Sequence, residues 1–183
     1  PGVRCASHAL GRRTFGLVAR GGGHGSFFPY ENNGITIMIF KETPLAGAFL
    51  IALDPHEDER GSFARSFCRR EFEGHGLSPV VSQCNISRNR KTGTLRGMHF
   101  QAAPHAEAKL VRCGRGALWD VIVDMRPASA TRGRWFGVEL TDTNGLQLYI
   151  PEGFAHGFQT LRDDTEIFYL ISNFYAPDAA SGL

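Results

Sequence analysis

The 183-residue sequence has no long hydrophobic run. Its longest nearly uncharged apolar stretch, residues 45–53, has nine residues, whereas a transmembrane helix needs about 20. This excludes a helical membrane span, and we expect no membrane partner. None of the four cysteines has the C-x-x-C spacing of a structural zinc site. We therefore expect reduced thiols and a cytoplasmic protein.

The sequence also has no excess of basic residues outside residues 1–37. Residues 1–37 hold four arginines and one glutamate, a charge of +3, so residues 38–183 carry −1 of the total of +2. A nucleic-acid-binding domain would carry its excess positive charge on the folded part, so we expect no nucleic-acid partner.

Residues 1–37 also contain eight of the 22 glycines and no regular period. We expect a non-native or disordered leader there and one domain over residues 38–183.

No segment has a clear helical period with caps, and the remaining pattern favours β structure. Turn residues separate short apolar or alternating segments, and Asn144-Gly145 is a strong hairpin signal. In the strand 117–124, alternation places Trp119 on the face opposite Asp120 and Asp124. The number and spacing of segments predict a sandwich or barrel. The predicted strands are 48–53, 62–67, 80–86, 94–101, 108–113, 117–124, 134–140, 146–150, 157–161 and 166–172.

Two segments carry polar residues in a recognisable order. Residues 93–101 read Gly-Thr-Leu-Arg-Gly-Met-His-Phe-Gln and are followed by Glu107 and Gly116. Residues 145–156 begin with Gly145 and end with Pro-Glu-Gly-Phe-Ala-His. Together they resemble the two signature motifs of the cupins. The resemblance implies an all-β fold, a cupin-type (jelly-roll) antiparallel barrel.

The first motif bears on metal binding. Metal-dependent cupins usually carry His-x-His where this sequence has His99-Phe-Gln101, and a neutral amide is a poor ligand for transition metals. His99, Glu107 and His156 could still supply three ligands, so a metal-dependent cupin oxygenase or isomerase stays an alternative. Without a metal, a histidine can accept a proton, a tyrosine can return one and a lysine can stabilise an oxyanion.

From about Met38 onward the sequence resembles the dTDP-4-dehydrorhamnose 3,5-epimerases, a family of metal-independent cupins. The order and spacing of many short motifs agree, which is more specific than any single motif. The matching stretches are residues 58–61, 83–87, 95–101, 108–112, 119–126, 129–131, 150–158, 166–169 and 175–177.

The resemblance implies epimerisation at C3 and C5 of dTDP-4-keto-6-deoxyglucose to dTDP-4-keto-L-rhamnose, in dTDP-rhamnose biosynthesis and without a cofactor. It implies that His99 is the base, Tyr169 the acid on the opposite face and Lys109 the residue at the enolate oxygen. The residues implied to bind the sugar nucleotide are Arg60, Gln83, Asn85, Arg96, His156 and Tyr175, the last by stacking on thymine.

The resemblance also implies a homodimer. We expect residues 40–55 to close the site or sheet of the dimer, because the apolar run 48–53 would otherwise leave an exposed edge. Arg96 and His99 are three residues apart, so strict alternation would place them on opposite faces. A bulge at Gly97 would bring both into one site.

Three departures from the family pattern stand out. Arg65 and Leu170 replace a common Glu and a common Lys. The Asp that orients the catalytic histidine is expected beyond Leu183, which would leave the domain incomplete at its C-terminus and poorly active. Asp120 and Asp124 are the alternatives within residues 1–183.

Two further functions fit the same residues. A 3-epimerase acting on a related 4-keto-6-deoxy sugar nucleotide would keep His99 and Tyr169 but would lose isotope exchange at C5. A non-catalytic sugar-nucleotide-binding cupin would bind nucleotide without any exchange.

Overall fold

The computed structural model describes residues 37–183. It contains one short α-helix, α1 (Arg69–Gly74), and a single 3₁₀ turn, Pro177–Ala179. The strands are β1 (Ile39–Glu42), β2 (Phe49–Ala52), β3 (His56–Asp58), β4 (Gly61–Phe63), β5 (Gln83–Asn89), β6 (Leu95–Gln101), β7 (Lys109–Arg115), β8 (Ala117–Asp124), β9 (Trp135–Thr141), β10 (Leu146–Ile150), β11 (Phe154–Thr160), β12 (Thr165–Ile171) and β13 (Ala180–Gly182). No helix among these residues is long and apolar enough to cross a membrane. The predicted leader lies, apart from Ile37, outside the described residues.

Two antiparallel sheets form the domain. The six-stranded sheet has the order β1-β2-β10-β7-β12-β5, and the five-stranded sheet has the order β13-β6-β11-β8-β9. From β5 to β12 the backbone passes repeatedly between the sheets, and only β8 and β9 are consecutive strands of one sheet. This is jelly-roll topology, which confirms the all-β, cupin-type prediction.

The main core lies between the inner faces of the two sheets. Leu118 and Ile122 of β8, Val111 of β7 and Leu148 of β10 are fully buried there. The alternation predicted for β8 is confirmed, since Leu118, Asp120 and Ile122 are all fully buried while Trp119 is 41% exposed. The two sheets therefore form a sandwich whose open end can hold a cleft.

A second core covers the outer face of the six-stranded sheet. Phe72 of α1 packs edge-on against Phe40 and Tyr149, at ring-centroid distances of 5.5 and 5.8 Å, and Ile51 of β2 is fully buried beneath it. The helix was missed in the sequence because its six residues, with only Phe72 buried, are too few to establish a 3.6-residue period.

Three sequence predictions about local structure are wrong. Asn144-Gly145 makes a turn, with Gly145 at φ +64°, but β9 and β10 belong to different sheets and form no hairpin. The strand predicted at 62–67 ends at Phe63, where β4 pairs only with β3. The strand predicted from residue 80 begins at Gln83.

The expected exposed edge at residues 48–53 is also wrong. Strand β2 lies inside the six-stranded sheet, paired with β1 on one side and β10 on the other. The edges of that sheet are β1 and β5. The edge within the segment 40–55 is therefore β1 rather than residues 48–53, and closure of a dimer through this segment stays a prediction.

Candidate active site

A cleft of about 320 Å³ opens between the inner faces of the two sheets. Its walls come from β5, β7 and β12 of the six-stranded sheet and from β6 and β11 of the five-stranded sheet. Eight of the nine residues that the sequence indicated for the site line it. They are Gln83, Asn85, Arg96, His99, Lys109, His156, Tyr169 and Tyr175.

Register explains why distant residues meet here. Tyr169 of β12 lies directly opposite Asn85 of β5, and cross-strand partners share a face. His156 of β11 lies directly opposite His99 of β6. The cleft therefore has two histidines side by side on one sheet and a tyrosine on the sheet that faces it.

The predicted bulge at Gly97 is confirmed. His156 pairs with His99 and Phe158 pairs with Arg96, so two residues of β6 stand opposite Gly157 alone. Gly97 has φ +108°. A Cβ there would lie 2.7 Å from the carbonyl oxygen of His156 and would overlap the Cα of Gly157. The extra residue is what brings both Arg96 and His99 to the cleft.

His156 is held by a buried carboxylate. Its Nε2 lies 2.6 Å from Oδ1 of Asp120, and the side chains are 6% and 0% exposed. The other carboxylate oxygen, Oδ2 of Asp120, is buried without a hydrogen-bond partner. Asp120 is thus the partner of His156, and the suggestion that it orients His99 is wrong.

Asp124, the second suggested partner of His99, is occupied elsewhere. Its carboxylate accepts hydrogen bonds from Nε and Nη2 of Arg126 at 2.9 and 2.7 Å and from the hydroxyls of Ser129 and Thr131, each at 2.6 Å. Burial by itself raises the pKa of Asp124, but these donors outweigh it and hold the pKa well below its usual value. Asp124 therefore fixes the loop after β8.

Tyr169 stands in a setting that favours its protonated form. Burial raises the pKa of its phenol, the negative charge of Asp120 raises it further, and Arg96 opposes the shift. The ring of Tyr169 meets the ring of His156 edge-on, with centroids 6.2 Å apart. A phenol that stays protonated can give a proton to a bound molecule.

Lys109 enters the cleft as half of an ion pair. Its Nζ lies 3.0 Å from Oε1 of Glu107, and each side chain is 11% exposed. Glu107 is thus paired with a cation, and His99, Glu107 and His156 do not form a candidate metal-binding cluster. Among residues 37–183 no cluster of three or more His, Cys, Asp or Glu residues is suited to hold a metal ion.

Tyr175 lies at the mouth of the cleft on a loop that two glutamines hold. Oε1 of Gln83 accepts a hydrogen bond from the backbone N–H of Tyr175 at 3.0 Å, and Oε1 of Gln101 accepts one from Ala176 at 2.7 Å. The residue Tyr175 is 66% exposed. An anchored loop with a free aromatic ring is suited to stack on a planar group.

Three residues singled out in the sequence lie away from the cleft. Arg60 sits in the β3–β4 turn, paired with Asp58 and largely exposed. Arg65 pairs with Glu71 of α1 at 2.8 Å. Leu170 points to the opposite side of β12 from Tyr169 and packs in the second core.

From the sequence, Asp120 is a candidate partner of His99 and Glu107 a candidate metal ligand, whereas in the structure they pair with His156 and Lys109. Asp120 could have been found from its position on the inward face of β8, whereas the pairing of Glu107 with Lys109 has no pattern in the sequence that reveals it.

Comparison with known proteins agrees with this geometry. Residues 42–183 match the family profile of dTDP-4-dehydrorhamnose 3,5-epimerase. The dTDP-4-dehydrorhamnose 3,5-epimerase of Sinorhizobium fredii is 43% identical over 146 residues, covering 80% of this chain and 75% of the relative.

Two solved structures resemble the fold closely. A dTDP-6-deoxy-D-glucose-3,5-epimerase from Legionella pneumophila, in complex with dTDP-4-keto-L-rhamnose, has a TM-score of 0.76 and 35% identity, covering 80% of this chain and 78% of that one. A 3′-monoepimerase from Streptomyces bikiniensis, in complex with dTDP-quinovose, has a TM-score of 0.72 and 33% identity, covering 77% and 71%. The resemblance seen in the motifs is thereby confirmed, and the chain belongs to the dTDP-4-dehydrorhamnose 3,5-epimerase family of carbohydrate epimerases.

Proposed function

We propose that this protein epimerises dTDP-4-keto-6-deoxyglucose at C3 and C5 to give dTDP-4-keto-L-rhamnose, a step of dTDP-rhamnose biosynthesis. The observation that carries the proposal is the placement of His99 on the five-stranded sheet and of Tyr169 on the six-stranded sheet, both lining one cleft. Inversion at carbon requires that a proton leave one face of the sugar and another arrive at the opposite face. Two facing sheets supply those two directions.

The proposed chemistry needs only side chains. His99 takes the proton from C3 or C5, the electron pair of that C–H bond moves toward the C4 ketone, and an enolate forms. Tyr169 then gives its phenolic proton to the same carbon from the other side. Acid–base groups in position each contribute roughly 10²–10⁴-fold in rate. No cofactor is required because the ketone already acidifies both neighbouring C–H bonds.

Lys109 is proposed to stabilise the enolate. It lies on the same sheet as Tyr169, because β7 is the neighbour of β12, and it lines the same cleft. A preorganised donor at a developing oxyanion contributes on the order of 3 kcal/mol. Lys109 therefore has the charge and position that the proposed enolate oxygen requires.

The remaining lining residues suit a nucleoside diphosphate. Arg96 offers a planar fork for phosphate oxygens, and His156, Gln83 and Asn85 add polar contacts along the cleft. Tyr175 is proposed to stack on the thymine ring. Arg60 lies outside the cleft of its own subunit, so the proposed binding set omits it.

The test is proton NMR of dTDP-4-keto-6-deoxyglucose in D₂O. The protein should exchange the hydrogens at C3 and C5 and yield the inverted product. His99→Ala should lose exchange at both carbons while its Kd for dTDP stays within about threefold. His56→Ala, which removes an exposed histidine of β3, is the matched control and should behave as wild type. Exchange that persists at the wild-type rate in His99→Ala would rule out His99 as the base.

A 3-epimerase is the second candidate, favoured by the likeness to the Streptomyces bikiniensis 3′-monoepimerase. It would use the same base and acid but would act at C3 only. The same NMR experiment separates the two functions, because C5 would keep its hydrogen in the presence of a 3-epimerase and would exchange in the presence of a 3,5-epimerase.

We propose a homodimer that uses the outer face of the five-stranded sheet. The six-stranded sheet is covered by α1, but the other sheet leaves Trp135 66%, Leu95 72% and Trp119 41% exposed on its strands. A broad apolar face of this kind is typical of protein interfaces.

The three cysteines among the described residues are free, which suits the cytoplasm, where we propose the enzyme works.

A further inference from the structure

Glu107 lines the cleft beside Lys109, and the buried Gln101 contacts Glu107, yet neither residue has a role in the proposed reaction. Glu107 uses its two oxygens separately. Oε1 contacts Nζ of Lys109 at 3.0 Å, and Oε2 accepts a hydrogen bond from Nε2 of Gln101 at 3.2 Å. A carboxylate held at both oxygens cannot turn away from the lysine without losing a contact.

Gln101 is itself fixed in one orientation. It is 4% exposed, and its Nε2 also donates to the backbone carbonyls of His105 at 2.9 Å and Phe174 at 3.2 Å. Its Oε1 accepts from the N–H of Ala176. If the amide were flipped, its oxygen would face the carbonyl oxygens of His105 and Phe174, and its NH₂ group would face the N–H of Ala176. The amide therefore anchors both Glu107 and the loop that carries Tyr175.

We infer that Glu107 is a positioning residue for Lys109 in the proposed reaction, and that Gln101 aligns Glu107 for this purpose. The inference rests on the proposed function. A lysine side chain has four rotatable bonds, and a free ammonium group would sample many places in the cleft. The contact with Glu107 restricts it to one, and it occupies one N–H while two remain for an enolate oxygen. Preorganised donors are effective because they need not reorganise when charge develops.

The inference also accounts for Gln101 in place of a second histidine in the first motif. The amide shares its two donor hydrogens among acceptors of the β6–β7 loop (His105 and Glu107) and of the loop after β12 (Phe174), and its oxygen accepts from Ala176 of that second loop. A neutral imidazole offers one donor and one acceptor and could not make these contacts together.

The test is a double-mutant cycle on Glu107 and Lys109, with kcat, KM and the initial C3 and C5 exchange rates in D₂O as readouts. Glu107→Ala should lower kcat about 10-fold or more and should leave the Kd for dTDP within about twofold, because the nucleotide contacts are untouched. Glu107→Gln should stay within about threefold of wild-type kcat, since its amide oxygen can accept from Nζ. In the Lys109→Ala background, Glu107→Ala should cause no further loss.

The controls separate positioning from folding. Glu166→Ala removes an ion pair of similar geometry with Arg88, 2.8 Å long and outside the cleft, and should leave kcat unchanged. Gln101→Leu should lower kcat and also weaken dTDP binding, because Gln101 holds the loop beside Tyr175 as well. If Glu107→Ala does not fold, Glu107→Met fills the same space without an acceptor and replaces it in the cycle.

Additive losses in the double variant, or a loss in Glu107→Ala confined to dTDP affinity, would overturn the inference. So would a wild-type kcat in Glu107→Ala while the wild-type protein is active. Absence of exchange by the wild-type protein would instead overturn the proposed function, and this inference with it.

Discussion

Replacing Gly97 by alanine should damage both stability and activity, because the bulge at this residue builds the cleft. Gly97 has φ +108°, a conformation that costs an L-residue about 1–3 kcal/mol. The new Cβ would lie 2.7 Å from the carbonyl oxygen of His156 and would overlap the backbone of Gly157. Overpacking against backbone adds about 1–3 kcal/mol. We therefore expect Gly97→Ala to lose about 3 kcal/mol or more, roughly 10 °C in Tm.

The activity should fall further than the stability explains. Strands β6 and β11 can relieve the overlap only by moving apart, and this shifts His99 relative to the opposite sheet. A displacement of about 1 Å in a catalytic group can cost roughly 100-fold in rate. The assays are thermal unfolding and the rates of C3 and C5 exchange in D₂O at a temperature where the variant is folded.

Gly133 provides the matched control. It has φ +76°, and a Cβ there would have no atom within 4 Å, so Gly133→Ala carries the backbone strain without the overlap. It should lose about 1–2 kcal/mol and keep wild-type exchange. The reasoning is refuted if Gly97→Ala is as stable as Gly133→Ala, or if the folded Gly97→Ala exchanges at the wild-type rate.

Three further predictions concern stability, binding and assembly. The pKa of Asp124 is lower in the folded protein than in the unfolded state, so its stabilisation is present above pH of about 4 and is lost as pH falls toward the folded value; urea unfolding should therefore show Asp124→Asn less stable than wild type at pH 7, with the gap narrowing at pH 3. Gln83→Ala should weaken dTDP binding about 5- to 10-fold by releasing Tyr175, measured by calorimetry, with kcat at saturation little changed; an unaltered Kd would contradict this. Trp135→Glu should turn a dimer into a monomer in light scattering, whereas Val80→Glu, also on the surface, should not; a monomeric wild type at micromolar concentration would contradict the proposed interface.

Strand faces could be read from the sequence, but strand partners could not. Alternation alone is enough to place Asp120 inward and Trp119 outward on β8, because side chains on a strand point to the two faces in turn. The Asn144-Gly145 pair predicts a tight reversal equally well, and the reversal exists. The Asn-Gly pair does not indicate whether the next strand joins the same sheet. Here the backbone passes from β9 in the five-stranded sheet to β10 in the six-stranded sheet.

In the candidate site, the lining residues could be predicted from the sequence but the contacts between their side chains could not. Motifs were sufficient to name eight of the residues that line the cleft, and the spacing of Arg96 and His99 was sufficient to predict the bulge. Alternation places Asp120 on the inward face, but its contact with His156 depends on the register of β8 against β11, and the contact of Lys109 with Glu107 depends on the path of a loop; no motif in the sequence reveals either. Arg60 shows the converse, since its motif matches while its position in the β3–β4 turn keeps it outside the cleft.

If a base and an acid act from opposite sheets on one carbon, Tyr169→Phe should separate proton removal from inversion. This variant keeps the ring that packs against His156 and removes only the phenolic proton donor. Proton NMR in D₂O should show that C3 and C5 still exchange, at a rate within about 10-fold of wild type, while inverted product falls by roughly 100-fold or more. Equal loss of exchange and inversion would contradict the account, since Tyr169 would then not supply the proton to the second face.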